Sequence, residues 1–328
     1  MKIIIYGVGN MFQKLFLDSD FGKRVYEKGI EVVGLTDSNK DLYGQEIFIN
    51  GKSLTVCDVN KFIDVEFDQM VVSSKQFYDE IKRHLLNLGF PENKIVLVDI
   101  ILHDYYKEIF GVNWLTGKKG VEIGGPSNIF SEIYEVAGSC DGVNFSDKTI
   151  WWKNEEEVYS YQKKALGKVI IDDATQLRKL ENDKYDFLLS SNNLEHIANP
   201  MKALSEFRRV LKEDGLIIIV VPRKDKTFDH NREYTTFQHI LEDYENDIDE
   251  TDLSHLPEII EKHDYDMDLP CGGKENFIIR SHKNYENRCL HHHVFSQECL
   301  AEMFRYLNLE IVNQIRDADD WIIIGKKH

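Results

Sequence analysis

Apolar residues in the first hundred positions fall into short runs separated by longer stretches of helical spacing. Lys2 to Tyr6 reads as a short buried strand. Gly7-Val8-Gly9-Asn10 then turns into a helix ending near Gly29, and Ile30 to Leu35 forms a second strand closing on Asp37. Met70-Val71-Val72 and Ile95 to Val98 give two further apolar strands. The pattern from Gln76 to Leu88 predicts a helix between them, with Gly89 just beyond its end. Strands alternating with helices imply parallel pairing beneath covering helices.

A second unit follows a helix expected from Asp104 to Phe110. Its strands read Gly120 to Ile123, Gly142 to Phe145, Val169 to Asp172, Tyr185 to Leu189, Leu216 to Val221, Leu309 to Arg316 and Trp321 to Ile324. The last two are close together and read as an antiparallel, hairpin-like pair. Between the fifth and sixth lies a polar, aromatic, His-rich stretch from about Pro222 to Val294. The predicted class is therefore α/β, with two doubly wound, Rossmann-like units. The second is a seven-stranded sheet with a long insertion after strand five. Domain limits are expected at 1–103 and 104–328, with residues 224–290 as an insertion or lid, because long loops in compact domains are usually functional.

The chain's 328 residues suit two domains, and its 42% hydrophobic fraction suits ordinary cores. Net charge is −17, spread along the chain, which argues against a nucleic-acid groove and against adhesion to an anionic membrane. Five cysteines at 57, 140, 271, 289 and 299 form no C-x-x-C pair, as expected in a reducing compartment. The N-terminus enters a strand directly and does not read as a signal peptide. The longest apolar runs, such as Leu216 to Val221, are far too short to span a bilayer. A soluble cytoplasmic protein is expected.

The most telling chemistry lies in Val121-Glu122-Ile123-Gly124-Gly125-Pro126-Ser127, followed about twenty residues later by Gly142-Val143-Asn144-Phe145-Ser146. Glycines leaving a strand let the backbone approach a ligand, and the N–H groups entering the next helix favour a polar or anionic end. A polar residue at the tip of the next strand can hold ribose hydroxyls. Asp172-Asp173-Ala174-Thr175 after strand three can meet the edge of a base. The carboxyl end of strand four places Ser190 to Asn193 beside the crevice.

These runs, with YDFLLSSNNLEHIANPMKALSEFRRVLKEDGLIIIVVP, resemble a class I S-adenosylmethionine-dependent methyltransferase. The combination of LEHI-x-NP, a helix and RVLK-x-x-G before an apolar strand carries the resemblance, which spans residues 118–328. It implies S-adenosyl-L-methionine as cofactor. Glu122, Gly124 and Gly125 would hold its amino-acid end, Asn144 the ribose, and Asp173 and Ala174 the adenine. Ser191, Asn192 and Asn193 would lie beneath the sulfonium. The family usually carries Asp or Glu at the position of Asn144, so weaker affinity is expected rather than a dead site, with Asp141 or Asp147 as a stand-in.

Methyl transfer to a hydroxyl needs a positioned nucleophile and a proton acceptor, a task that suits histidine. Candidate catalytic residues are His230 and His292 in the insertion, with Asp229 and Arg232 beside them, and His196 after strand four. The run His291-His292-His293 invites a metal reading. In extended chain, however, only His291 and His293 could share an ion, and no carboxylate completes the set at tight spacing, so no metal is expected. Arg208-Arg209 and the acidic run from Glu242 to Asp247 read as solvated faces.

In the first unit, Gly7-x-Gly9 hints at dinucleotide binding, with Asp37 as supporting residue, but Phe12 stands where the third glycine belongs. KIIIYGVGN followed by EVVGLTDSN loosely resembles the small Rossmann-like domains at the front of sugar-modifying enzymes and acyltransferases of surface-glycan pathways. The expected function is O-methylation of a small or glycan-linked acceptor, with a homo-oligomer as one role for the first unit. No nucleic acid and no membrane insertion are expected. The alternatives are a nucleotide-sugar or NAD-dependent enzyme using the first unit, and a non-catalytic scaffold.

Overall fold

The computed structural model describes residues 1–146 and 157–328. They divide into two units, Met1–Glu108 with Arg316–Ala318, and Ile109–Ile315 with Asp319–His328. The 103/104 limit expected from the sequence falls inside the helix Val98–Ile109.

The first unit contains β1 (Lys2–Tyr6), β2 (Glu31–Thr36), β3 (Glu46–Ile49), β4 (Lys52–Cys57), β5 (Gln69–Val72) and β6 (Ile95–Leu97). Its sheet runs β3-β4-β2-β1-β5-β6, with only β3 antiparallel to its neighbour. Ile4, Tyr6, Met70, Val72 and Leu85 anchor the core on one face. The single helix expected between β1 and β2 is broken. Asn10–Phe12 runs into a π-type turn, Gln13–Leu17, and a new helix, Asp20–Glu27, starts where Ser19 Oγ accepts from the Phe21 N–H at 3.2 Å.

The second unit contains β7 (Lys119–Ile123), β8 (Ser139–Asn144), β9 (Val158–Tyr161), β10 (Lys164–Ile171), β11 (Tyr185–Ser191), β12 (Leu211–Pro222), β13 (Leu309–Arg316) and β14 (Asp320–Lys327). The order is β13-β14-β12-β11-β7-β8-β10-β9. From β12 to β10 the pairing is parallel, while β14 lies antiparallel on β12 and β9 antiparallel on β10. The seven expected strands are all present, and β9 adds an eighth at the edge. Strand order reverses between β7 and β11, which opens a crevice at their carboxyl ends.

Two helices seal this sheet. Pro200–Val210 is capped by Asn199, whose Oδ1 accepts from the Lys202 N–H at 3.0 Å, and proline sits in its first turn, where no N–H is missed. Gln297–Tyr306 is capped likewise by Ser296. Met201, Leu204, Phe207, Leu300 and Phe304 pack with Leu188 and Ile219 into one buried cluster.

The insertion after β12 is folded. It holds helices Phe237–Glu245, Leu256–Lys262, Lys274–Ser281 and Asn284–Asn287, and Leu256, Ile259, Cys271, Phe277 and Leu290 form its own apolar cluster. Among the described residues, no helix is long and apolar enough to cross a membrane.

Candidate active site

A cavity of about 480 Å³ opens where β7, β8, β10 and β11 end. Its walls include Gly124, Asn144, Asp173, Ala174, Asn192 and Asn193, six of the nine residues expected to hold the cofactor. Gly124 has φ +82°, and a Cβ there would stand 2.6 Å from Asn193 Nδ2, so only glycine fits this turn without displacing Asn193. Asn144 is buried at the tip of β8, and among the described residues its Nδ2 has no hydrogen-bond partner. Asn193 Oδ1 is unpartnered too. Buried polar atoms are normally satisfied, so such orphans on a cavity wall are what a nucleoside with ribose hydroxyls and an amino-acid tail would satisfy. The residues present therefore fit the nucleoside cofactor.

Glu122, Gly125 and Ser191 are outside the cavity lining. Glu122 is fully buried beneath the glycine turn, where Tyr134 Oη and Tyr159 Oη donate to its Oε2 at 2.5 and 2.7 Å. Tyr134 Oη in turn accepts the Ser127 N–H at 2.8 Å, so Glu122 braces the loop from below. Burial pushes its carboxyl pKa up to about 7. A Cβ at Gly125 would meet the Glu122 carboxylate at 2.1 Å, which is why the second glycine is needed. Asp141 cannot stand in for Asn144: its carboxylate accepts Tyr185 Oη at 2.9 Å and the Lys168 N–H at 3.0 Å. Asp147 lies outside the described residues.

Glu250, Arg288 and His291 come from the insertion and complete the cavity wall; sequence reasoning had not placed them there. Arg288 bridges Asp173 at 3.2 Å and Glu250 at 2.9 Å, and its guanidinium lies 3.9 Å over the Phe145 ring. Burial lowers its pKa to about 10 despite the opposing pull of Asp173 and Asp249.

His196 lines the cavity as expected, with Nδ1 3.1 Å from Leu290 O. Burial, then the neighbouring His291, drives its pKa well below the ordinary value. His230 and His292 do not line it. His230 turns outward to Asp264 at 2.8 Å, because its neighbour Asp229 takes the inward direction. His292 is buried against Asn284 Nδ2 at 2.9 Å and Glu250 at 3.5 Å. The inward histidine is His291, whose Nδ1 lies 2.5 Å from Asp229 Oδ2. Arg232 Nη1 donates to Asp229 Oδ1 at 3.0 Å and to the His291 carbonyl at 2.8 Å, while its Nη2 donates to the His292 carbonyl at 3.0 Å. Burial opposes the imidazolium of His291, but Asp229 and Glu195 outweigh it and raise its pKa. Asp229 is held at about 2, since His291 and Arg232 overcome its desolvation. Glu195, buried beside them, is pushed up to about 7. The signal that could have singled out His291 is alternation: it points opposite to His292.

In the first unit, Asp37 accepts the Val8 N–H through Oδ2 and the Asn39 N–H through Oδ1, both at 2.8 Å. One oxygen thus serves the Gly7–Gly9 turn and the other Asp37's own loop.

Residues 121–219 match the family described as methyltransferase domain, and residues 1–96 match the one described as C2185-like, N-terminal. Among solved structures, the chain is similar to a SAM-dependent methyltransferase, possible histamine N-methyltransferase, from Thermotoga maritima. Identity is 18%, covering 77% of this chain and 97% of that one, with a TM-score of 0.38. A SAM-dependent methyltransferase from Aquifex aeolicus is 12% identical over 75% of this chain and 98% of that one, TM-score 0.40. The Burkholderia thailandensis 1,6-didemethyltoxoflavin-N1-methyltransferase, with bound 1,6-didemethyltoxoflavin and S-adenosylhomocysteine, is 12% identical over 69% of this chain and 77% of that one, TM-score 0.39. No curated protein matches the chain significantly.

The reversed strand order, the glycine turn after β7 and the family match to residues 121–219 together define a class I methyltransferase domain. The chain is an S-adenosylmethionine-dependent methyltransferase.

Proposed function

We propose that the enzyme methylates a hydroxyl oxygen of a small or glycan-linked acceptor, with His291 as general base. The observation that carries this reading is His291 in the wall of the cavity with Asp229 on its Nδ1. When bound, the cofactor supplies a methyl group on positively charged sulfur, an electrophile that needs little further activation. The protein's work is to align the acceptor and take its proton. Asp229 fixes the His291 tautomer by accepting Nδ1–H, which leaves Nε2 to receive the hydroxyl proton as the oxygen–methyl bond forms. Arg232 keeps Asp229 ionised and in place. The resemblance of the first unit to glycan-pathway enzymes supports a sugar hydroxyl as the acceptor.

We propose Asn144 and Asn193 at the cofactor's polar groups, Gly124 as the point of closest backbone approach, and Asp173 and Ala174 at the base. Incubation with radiolabelled S-adenosylmethionine and fractions of nucleotide-sugars, glycans and amines tests the reading. Label on a hydroxyl-bearing sugar fraction, reduced at least 100-fold in His291→Asn, is expected. Label confined to amines, or unchanged by the substitution, overturns it.

A further inference from the structure

The insertion carries a second cluster of chemistry that the cavity does not use. His239, His255 and His293 each place one ring nitrogen within 4.8 Å of the others. Asp243 lies beside this trio, with Oδ2 3.3 Å from His239 Nε2 and 3.8 Å from His293 Nε2. His239 and Asp243 stand one turn apart on the helix Phe237–Glu245 and so share a face. His255 precedes the next helix, Leu256–Lys262, and His293 lies in the segment returning to the sheet.

Hydrogen bonding alone does not satisfy this group. His239 Nε2 is 2.8 Å from His255 Nε2 and also beside Asp243, but one nitrogen has one proton to give. Among the described residues, Asp243 Oδ2 is left buried with no hydrogen-bond partner, as are Nδ1 of His255 and Nδ1 of His293. Among the described residues no lysine or arginine pairs with Asp243; its ion-pair neighbours are the two histidines. A buried carboxylate without a countercharge costs several kcal/mol. The acidic run from Glu242 to Asp247, read from sequence as a wet face, thus turns one carboxylate inward.

We propose that His239, Asp243, His255 and His293 bind one zinc ion. Three imidazoles and a carboxylate are a common zinc set, and tetrahedral bonds of about 2.0–2.1 Å place ligand atoms about 3.3 Å apart, the spacing of His239 Nε2 and Asp243 Oδ2 here. His293 Nε2 lies 3.1 Å from Ala198 O, the backbone contact that ordinarily orients a zinc-bound imidazole and leaves Nδ1 as the ligand. Asn199 Nδ2 donates to Asp243 O at 3.0 Å and steadies the helix that carries two ligands. None of the four lines the cavity, so the ion is structural: it pins the start, middle and return of the insertion beside the Leu194–Asn199 turn. Alternation along the chain left His291 and His293 as the only pair of the triple-His run able to share an ion, with no metal expected; in the structure the two fall into different groups.

The test uses the full-length protein, stripped with a chelator, exposed to zinc alone and desalted. Metal analysis is expected to give one zinc per chain. Cobalt(II) in its place is expected to show the strong visible absorption of a tetrahedral site. His239→Ala/His255→Ala should lose the ion, and the more conservative His255→Gln should weaken it at least 100-fold, with folding confirmed by circular dichroism. Less than 0.1 equivalent of zinc in the wild type overturns the proposal. So does full retention by folded His255→Gln.

Discussion

Asp229 Oδ2 lies 2.5 Å from His291 Nδ1, so that the two meet across 62 residues of chain, with His291 in the cavity wall. The pairing gives a direct prediction. Asp229→Asn removes the acceptor that fixes the His291 tautomer, so turnover should fall by about 10²–10⁴-fold. Cofactor affinity, measured by titration calorimetry, should stay within a few-fold. Unchanged turnover would remove the pair from the chemistry.

Asn144→Asp should tighten cofactor binding. Charge-assisted hydrogen bonds are about twice as strong as neutral ones, so a gain of about 1 kcal/mol, or five- to tenfold in Kd, is expected. Among the described residues the native Nδ2 has no partner to lose. Calorimetry with S-adenosylhomocysteine reads the change, and a weaker Kd would place the ribose elsewhere.

Gly124→Ala asks for a side chain at φ +82° and 2.6 Å from Asn193 Nδ2. Backbone strain of about 1–2 kcal/mol and a displaced Asn193 should cost at least tenfold in cofactor affinity, while thermal unfolding remains cooperative. Native affinity in this variant would show that the turn does not touch the ligand.

Glu122 makes stability pH-dependent. Its carboxyl is raised from 4.5 to about 7, so the folded protein holds a proton that the unfolded chain releases between those values. Stability from this group is full below pH 4.5 and is lost as pH rises towards 7. Glu122→Gln, which still accepts from Tyr134 and Tyr159, should flatten that slope. Its advantage over the wild type should grow by about 3 kcal/mol from pH 4.5 to 8 in denaturant titrations. Parallel pH profiles would contradict the buried-acid account.

Arg288 holds the insertion over the cavity through Asp173 and Glu250. Arg288→Ala leaves Glu250, 6% exposed, with one countercharge fewer, and a loss of about 3 kcal/mol is expected. Limited proteolysis should then cut first within 224–290. Unaltered cleavage would mean the insertion is held by other contacts.

Much of the fold is legible in the chain because each parallel strand is a short apolar run, as for Ile3 to Tyr6 and Ile217 to Val221. The strands missed are those that alternate. The β3–β4 hairpin carries its signal at Asn50-Gly51, both at positive φ, a pair favoured in two-residue hairpin turns. The β9–β10 hairpin has no such mark: it turns at Gln162-Lys163, both also at positive φ, with neither glycine nor asparagine.

The turns proposed to hold the cofactor were legible because they are consecutive βα turns, which fixed spacing reveals. Glu122 escaped its expected role because a strand's last residues alternate faces, and this one points beneath the loop toward Tyr134 and Tyr159. The insertion side was hidden for another reason. Asp229, Glu250, Arg288 and His291 are brought together only by tertiary folding of four helices, and no local period records that meeting.

Titration of the full-length protein with S-adenosylmethionine in a calorimeter, alongside Gly124→Asp, decides the central claim most directly. One molar equivalent of heat-releasing uptake by the native chain, abolished by the substitution, is the predicted result. No uptake by the native chain, or equal uptake by both, would contradict a cofactor seated at the turn after β7.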